Sequence, residues 1–434
     1  MIEKYYNGVI EQVAGGIGNV EHNSILVRYS NDFSIWDLES VNHYKDQTDI
    51  FFTCHEFSYN KIAEAYEPYL GLIRQMFHKY CSGTLEEFME ECDVYKLQRP
   101  VFESYFEKGF CERTEQILID EVEYEQERMR NSIVTMLQKL SEIRPVVIVL
   151  NRFQLASKST MQLSNSLLQV KNKNIGIVLG VNDVQSIPEF AHEEWDAICE
   201  SMDDRNMVYH IGNAGRNMEP DVMDYYSDYE SDDGYRKLNN LVYFLDFDQA
   251  NHHLSKIERR IKFDNFTISE KKHYQLLLLQ IMVSVLQRDI AKALESCEDL
   301  EKLQDQEKEG AFYYNFWMAT SYMYLGKLEE AMIYVQKAKE CGEALGDDFL
   351  VFRAELLKAQ NQMSGWCNIF FCAQDIEISD KLIEKLNAYH YKNHLAHIYI
   401  YAYDNKPEIV AKAYRSEAFL IYFSKGVALA KEIG

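Results

Sequence analysis

The feature that most constrains the fold of this chain is a short uninterrupted apolar run, Val146–Leu150, which ends at Asn151 and Arg152. Other runs of β-branched, aliphatic and aromatic residues precede residue 250: Ser24–Tyr29, Asp49–Cys54, Asn174–Gly180 and a further candidate, Leu241–Leu245. Continuous apolar runs of this length are typical of strands that are buried on both faces of a parallel sheet. The pattern therefore predicts a parallel sheet within the first half of the chain.

Helical patterns alternate with these runs. Ala63–Tyr80 and Glu125–Ile143 carry apolar residues at the three- and four-residue spacing of an amphipathic helix. Strands that alternate with helices predict βαβ units with right-handed crossovers. We therefore predict an α/β domain over residues 1–248.

Two segments and the order of the elements resemble the STAND-type module of AAA+-related signalling ATPases. Ala65–Ile73 contains Tyr66 and Pro68 and looks like the Tyr-x-Pro segment of that family, while Arg144–Leu168 resembles its Walker B strand and following helix. Asn182 lies near the family's sensor position at the end of the next strand. The resemblance covers roughly residues 1–250 and implies a P-loop-NTPase-like parallel sheet. Another parallel α/β fold remains an open alternative.

The positions that would carry ATP chemistry depart from the family pattern. The P-loop would follow Val27, but Arg28–Ile35 has no glycine and no lysine, although a P-loop needs both to bind phosphates. Asn151 and Arg152 replace the two Walker B carboxylates that would hold magnesium and orient water. Gly15–Asn19 precedes the strand, and we interpret it as a turn. We therefore predict no catalytic residue, no cofactor and no metal site.

The segment Met218–Gly234 is acidic and rich in tyrosine, without a helical or strand period. Such a composition predicts an exposed loop, and a docking strip for a basic partner is the alternative interpretation.

The second half, residues 249–434, lacks strand patterns and resembles a solenoid of tetratricopeptide-like repeats. The clearest unit is Ala311–Cys341, in which small residues, an aromatic and a turn glycine fall at the family's positions: Ala319, Tyr322, Gly326, Ala331 and Ala338. Asn315 and Glu343 depart from the pattern. Weaker copies are Lys271–Leu303, the stretched Phe349–Ala388, and His390–Gly434.

The repeat resemblance implies a concave groove that binds a peptide or protein. Its groove positions in the clearest unit are Tyr313, Phe316, Thr320, Met323 and Tyr324. Packing of some of these side chains against the next repeat is the alternative. Phe419–Phe423 makes the last helix very apolar, so we expect the natural chain to continue or this face to meet a partner or a second copy; ordinary burial in the last hairpin is equally open.

Composition limits the partners. The chain has 45 Lys and Arg against 69 Asp and Glu, a net charge of -24, which disfavours nucleic acid and anionic membranes. Nine scattered cysteines without a C-x-x-C pair, and a polar N-terminus without a signal sequence, predict a cytoplasmic protein with reduced thiols.

These features together predict a protein that is not an enzyme. The leading hypothesis is a regulatory and protein-interaction module of a bacterial-type signalling protein, in which a pseudo-ATPase domain and peptide-binding repeats control an output domain beyond residue 434. Two alternatives stay open. One is an NTPase or nucleotide sensor with a non-standard site that uses Arg28 and Arg152, and the other is a simple repeat adaptor.

Overall fold

A computed structural model gives the structure of the chain. It describes residues 2–20, 23–30, 34–45, 47, 49–58, 61–96, 98–111, 122–182, 187–203, 207–211, 231–263, 267–367, 380–389 and 424–431. The chain divides into two compact units. The first comprises residues 1–94, 98–113 and 123–253, and the second comprises residues 95–97, 114–122 and 254–434.

The first unit is built on a five-stranded parallel sheet. Its strands are β1 Asn23–Tyr29, β2 Phe51–Glu56, β3 Val146–Asn151, β4 Ile175–Asn182 and β5 Val208–Ile211. They lie in the order β2-β3-β4-β1-β5, and every pair is parallel. All residues of β3 and β4 are buried, as their uninterrupted apolar sequences predict. The parallel sheet predicted from four apolar runs is therefore confirmed.

Helices separate the strands along the chain. They are α1 Ile2–Gly16, α2 Glu39–Lys45, α3 Tyr69–Tyr80, α4 Leu85–Glu91, α5 Arg99–Lys108, α6 Val122–Ile143, α7 Lys158–Gln169, α8 His192–Asp203, α9 Asp232–Tyr243 and α10 Phe247–Phe263. The helical pattern of Glu125–Ile143 lies within α6. Within Ala63–Tyr80 the helix begins only at Tyr69, because Tyr66 has a left-handed backbone with φ 55° and Pro68 occupies the N-cap position. Gly15–Asn19 ends α1 and turns into β1, with Gly18 at φ 82°, as interpreted from the sequence.

The prediction of a strand at Leu241–Leu245 is wrong. Leu238, Leu241 and Val242 form the buried stripe of α9, whose N-terminus is capped by the Ser231 hydroxyl. The prediction of a loop over residues 218–234 is also wrong at its end, because Asp232–Gly234 belong to α9; residues 218–230 lie outside the described residues.

Strand β5 escaped prediction from the sequence. It is four residues long and lies at the edge of the sheet, where it pairs with β1. Tyr209 in this strand is 40% exposed. A short edge strand that is half in solvent carries no continuous apolar run, so the pattern that revealed the inner strands does not reveal this one.

One face of the sheet packs against α1. Tyr6, Val9, Ile10 and Val13 of this helix form a buried cluster with side chains from three strands, namely Ile25, Val27, Tyr29, Val147, Val149 and Val178. The strand residues of this cluster alternate along each strand, as the pleat requires. The same face therefore continues, at the carboxyl ends of the strands, to Tyr29 and Asn151.

The described part of the second unit beyond residue 266 is helical. Its helices are α11 Glu270–Leu286, α12 Ile290–Glu301, α13 Gly310–Tyr324, α14 Leu328–Leu345, α15 Asp348–Cys367 and α16 Asp380–Ala388, and residues 424–431 are also helical. From α11 to α15, short connections join successive helices that pack against each other, so neighbours run antiparallel. Gly326, at φ 72°, lies in the turn between α13 and α14. The chain is thus an α/β sheet domain followed by a helical region.

Small residues make close helix packing possible around α14. Ala319, Ala331 and Ala338 are fully buried. Ala338 packs in a cluster with Phe312, Leu350 and Ala354, while Ala319 packs with Val335 and Leu357. Residues 390–423, including Phe419–Phe423, lie outside the described residues. Among the helices of the described ranges, none has both the length and the apolar character of a membrane span.

Candidate functional site

The carboxyl ends of parallel strands meet at one edge of the sheet, where α/β proteins bind their ligands. Here the register pairs Glu56 at the end of β2 with Asn151 at the end of β3. It also pairs Tyr29 at the end of β1 with Asn182 at the end of β4. Both sequence-predicted Walker B positions, Asn151 and Arg152, therefore lie at the edge where a ligand site is expected.

Asn151 is completely buried, and its side chain lies close to the hydroxyl groups of Tyr29 and Tyr6. The Tyr29 hydroxyl donates a hydrogen bond of 2.7 Å to Asn151 Oδ1 across β4. Gly180 of β4 leaves the room for this arrangement, because a Cβ atom at this position would meet the Tyr6 hydroxyl and lie 2.7 Å from Asn151 Oδ1. Asn151 Nδ2 has no hydrogen-bond partner among the described residues.

The Tyr6 phenol near Asn151 is uncharged at neutral pH. Burial, with a smaller contribution from Tyr29, raises the pKa of the Tyr6 phenol well above its ordinary value of 10.0. A neutral amide whose oxygen already accepts a hydrogen bond from a phenol lacks the carboxylate charge with which proteins hold Mg²⁺. The arrangement can pack and orient the strand ends, but it offers no metal-binding carboxylate at the position of Asn151.

Arg152 forms an ion pair with Glu56, with 3.3 Å between Arg152 Nη1 and Glu56 Oε1. Glu56 Oε2 also accepts hydrogen bonds from the Ser34 hydroxyl at 3.4 Å and the Ile35 N–H at 3.3 Å. Arg152 has a left-handed backbone, with φ 53°, between β3 and a short 3-10 turn. Sequence reasoning identified Arg152 but missed Glu56 and Ser34, because their contact joins segments that are distant in the chain.

Asn182, which lies near the predicted sensor position, contacts Gln154 through its backbone N–H. Its N–H donates to Gln154 Oε1 at 3.2 Å, and both residues are buried. Arg28, which the non-standard NTPase hypothesis invokes, lies on the opposite face of β1 from Val27 and Tyr29, because side chains alternate along a strand. The structure brings Arg152 to Glu56 and places Arg28 on the other side of the sheet.

The Tyr-x-Pro segment is fixed by hydroxyl groups at the start of α7. Ser157 Oγ donates to the Glu64 carbonyl at 2.9 Å, and Thr160 Oγ1 donates to the Glu67 carbonyl at 3.0 Å. The Tyr66 N–H donates to Ser159 Oγ at 3.2 Å. The run Ser157–Thr160 was visible in the sequence, but hydroxyl side chains are so common at helix N-termini that their second partner was not predictable.

A partly buried acidic group lies next to this segment. Burial, and then the neighbouring Glu67, raise the pKa of Glu64 to about 6, while Asn240 Nδ2 donates to Glu64 Oε2 at 3.0 Å. His55 Nε2 lies 3.5 Å from Glu67 Oε1, and burial lowers the pKa of His55 to about 4. His55 is therefore neutral near pH 7, so this contact is not an ion pair there.

The predicted groove residues of α13 have mixed environments. Phe316 packs in two clusters with side chains of α14 and α15, and Met323 packs in one of them. Tyr313 also contacts these helices, and the buried Arg353 guanidinium stacks 4.3 Å from the Phe316 ring centre. Thr320 is buried and donates to the Phe316 carbonyl at 2.9 Å, whereas Tyr324 is 38% exposed. Packing between neighbouring helices therefore accounts for much of this set, and a binding role for Tyr324 stays a prediction.

The described residues contain no group of three or more His, Cys, Asp or Glu side chains placed to hold a metal ion. Comparisons with protein-family models, with curated proteins and with solved structures found no match to this chain.

Proposed function

We propose that this chain is a non-catalytic regulatory and protein-interaction module, with a STAND-like α/β domain that has lost ATP chemistry and tetratricopeptide-like repeats that bind a peptide or protein. The observation that carries the proposal is Asn151: it stands where the resemblance requires a magnesium-binding carboxylate, yet it is buried and hydrogen-bonded to Tyr29.

The strand order supports the STAND-like interpretation of the first unit. In the order β2-β3-β4-β1-β5, β4 lies between β1 and β3. Strand β1 would precede a P-loop, and β3 would carry Walker B. This is the order that the AAA+ resemblance implies, and it differs from the dinucleotide-binding and flavodoxin-like orders.

The chemistry at the strand ends supports the loss of activity. A phosphate-binding loop after β1 would need glycine N–H groups and a lysine, and Ser30–Ile35, the sequence that follows β1, has neither. Arg152 places a positive charge beside Asn151, and this charge is paired with the Glu56 carboxylate. Binding of a partner to the repeats would then regulate the protein by shifting an equilibrium between two packed conformations.

Nucleotide titration tests this proposal directly. Calorimetry and thermal melting of the full chain with ATP, ADP and GTP, with and without Mg²⁺, are expected to show no saturable binding at millimolar nucleotide, and a phosphate-release assay is expected to show no turnover. Magnesium-dependent binding at micromolar nucleotide would support the nucleotide-sensor alternative. Turnover that disappears in Arg152→Gln would support the non-standard NTPase.

A further inference from the structure

Glu56 is held at the end of β2 by donors from two other segments of the chain. The Ser34 hydroxyl and the Ile35 N–H come from the segment after β1, and the Arg152 guanidinium follows β3. All three approach one carboxylate, two at Oε2 and one at Oε1. This combination of a hydroxyl, an amide N–H and an arginine is the chemistry by which proteins recognise carboxylates and phosphates.

The contact is largely screened from water. The side chain of Glu56 is 11% exposed and that of Arg152 is 21% exposed, so their attraction is stronger than that of a surface ion pair. Arg152 also holds a left-handed backbone, which is uncommon for a residue with a side chain and is found where the surroundings impose it. The preceding residue, Asn151, is fully buried and its Nδ2 lacks a hydrogen-bond partner among the described residues.

We propose that Ser34, Ile35 and Arg152 form an anion-binding site and that the Glu56 carboxylate is its built-in ligand. A small carboxylate or phosphate binds to the same donors once the carboxylate of Glu56 is removed, and Glu56 masks the site in the intact chain. The anion-binding site consists only of these contacts. Its existence therefore depends neither on the repeats nor on a loss of ATP hydrolysis.

Chemical rescue by small anions tests the masked site. Thermal melting would be recorded for the full-length wild type and for Glu56→Ala, each with sodium formate, acetate or phosphate against sodium chloride of equal ionic strength. Loss of the charge-assisted hydrogen bonds is expected to lower the Tm of Glu56→Ala by about 3–10 °C. Formate is the smallest carboxylate, so we expect it to fit the vacated position. At about 50 mM its binding to the folded state is expected to restore most of the lost Tm.

Three further proteins make the result specific. Glu90→Ala removes an exposed carboxylate elsewhere in the same unit and is expected to respond to formate no more than to chloride, as the wild type does. Glu56→Ala combined with Arg152→Gln is expected to lose the formate response. Glu56→Ser also removes the carboxylate and leaves room for an anion, and it takes the place of Glu56→Ala if that variant does not fold.

The possible outcomes distinguish a masked anion site from a general salt effect. A rise in Tm that formate or phosphate produces in a folded Glu56 variant but not in Glu90→Ala supports the masked anion site. An equal rise in Tm in the wild type, in Glu56→Ala and in Glu90→Ala would show a general salt effect and overturn the proposal. A response that survives the added Arg152→Gln substitution, or no response in a folded Glu56→Ala or Glu56→Ser protein, would also overturn it. None of these results depends on whether the chain binds ATP.

Discussion

At the scale of single residues, the end of β3 shows how a buried polar side chain is accommodated. Asn151 Oδ1 accepts a hydrogen bond from a tyrosine of a strand that is not its neighbour, and the intervening Gly180 has no side chain to block the approach. A glycine in the middle of a strand usually weakens it, and it persists where other atoms approach closely. Here the close atoms are the Tyr6 hydroxyl and Asn151 Oδ1.

Substitution of Gly180 tests this packing. In Gly180→Ala the new methyl group would collide with the Tyr6 hydroxyl and Asn151 Oδ1, so we expect a loss of about 2–3 kcal/mol in the free energy of unfolding. Gly8→Ala is the matched control, because a Cβ there meets nothing within 4 Å and alanine favours the helix. We expect the control to gain about 0.5–1 kcal/mol. Urea denaturation measures both, and similar values for the two variants would contradict the packing.

Glu64 contributes one part of the pH dependence of stability. Because burial raises its pKa to about 6 from 4.5, the folded protein keeps a proton that the unfolded chain releases between these values. Its contribution to stability therefore falls as the pH rises from 4.5 to about 6. His55 has the opposite effect, since its pKa is lowered from 6.5 to about 4 and the unfolded chain binds the extra proton.

The variant Glu64→Gln isolates the first effect. Relative to the wild type, we expect its free energy of unfolding to increase by about 2 kcal/mol between pH 4.5 and neutral pH. The measurement is urea denaturation at several pH values, with Glu90→Gln as an exposed control that stays parallel to the wild type. A constant difference between Glu64→Gln and the wild type across this range would show that the Glu64 pKa is not raised.

At the scale of elements, one face of α14 supplies most of its packing. Ala331, Val335, Ala338 and Gly342 recur at three- or four-residue spacing and are buried, whereas Ile333 on another face is 57% exposed. The helix is therefore held by a narrow stripe of small and medium side chains. This stripe explains why the pattern of small residues was sufficient to locate the hairpin in the sequence.

Two neighbouring truncations distinguish the faces of α14. Val335→Ala empties space beside Ala319 and Leu357, so we expect it to destabilise the protein by about 2 kcal/mol. Ile333→Ala removes an exposed β-branched side chain from the same helix, and its effect is expected to stay within about 0.5 kcal/mol. Both are measured by urea denaturation. A larger loss for Ile333→Ala would mean that this exposed face is covered by another part of the protein.

At the scale of the whole molecule, acidic charge dominates. A net charge of -24 makes the folded state repel itself at low ionic strength. Raising NaCl from about 0.01 M to 0.15 M shortens the Debye length from roughly 30 Å to 8 Å, so we expect the Tm near pH 7 to rise. Near the isoelectric point of about 5.0 the same change in salt is expected to have little effect. Equal salt effects at both pH values would rule out self-repulsion as the cause.

The sequence by itself determined the elements whose signals are local. Continuous apolar runs revealed β1 to β4, helical spacing revealed α6, and small residues revealed the hairpin of α13 and α14. The absence of a glycine-rich, lysine-bearing loop after β1 was also evident. Each of these signals depends on residues close together in the chain, where burial imposes a period that can be counted.

Only the tertiary structure decided the features that depend on distant segments. It placed Leu241–Leu245 in a helix and at its end, and it added β5 at the edge of the sheet. It also joined Tyr29 to Asn151 and Glu56 to Arg152. The physical reason is that a short apolar run fits a strand or a helix equally well, and a polar residue has no preferred partner until the fold brings one within hydrogen-bonding distance.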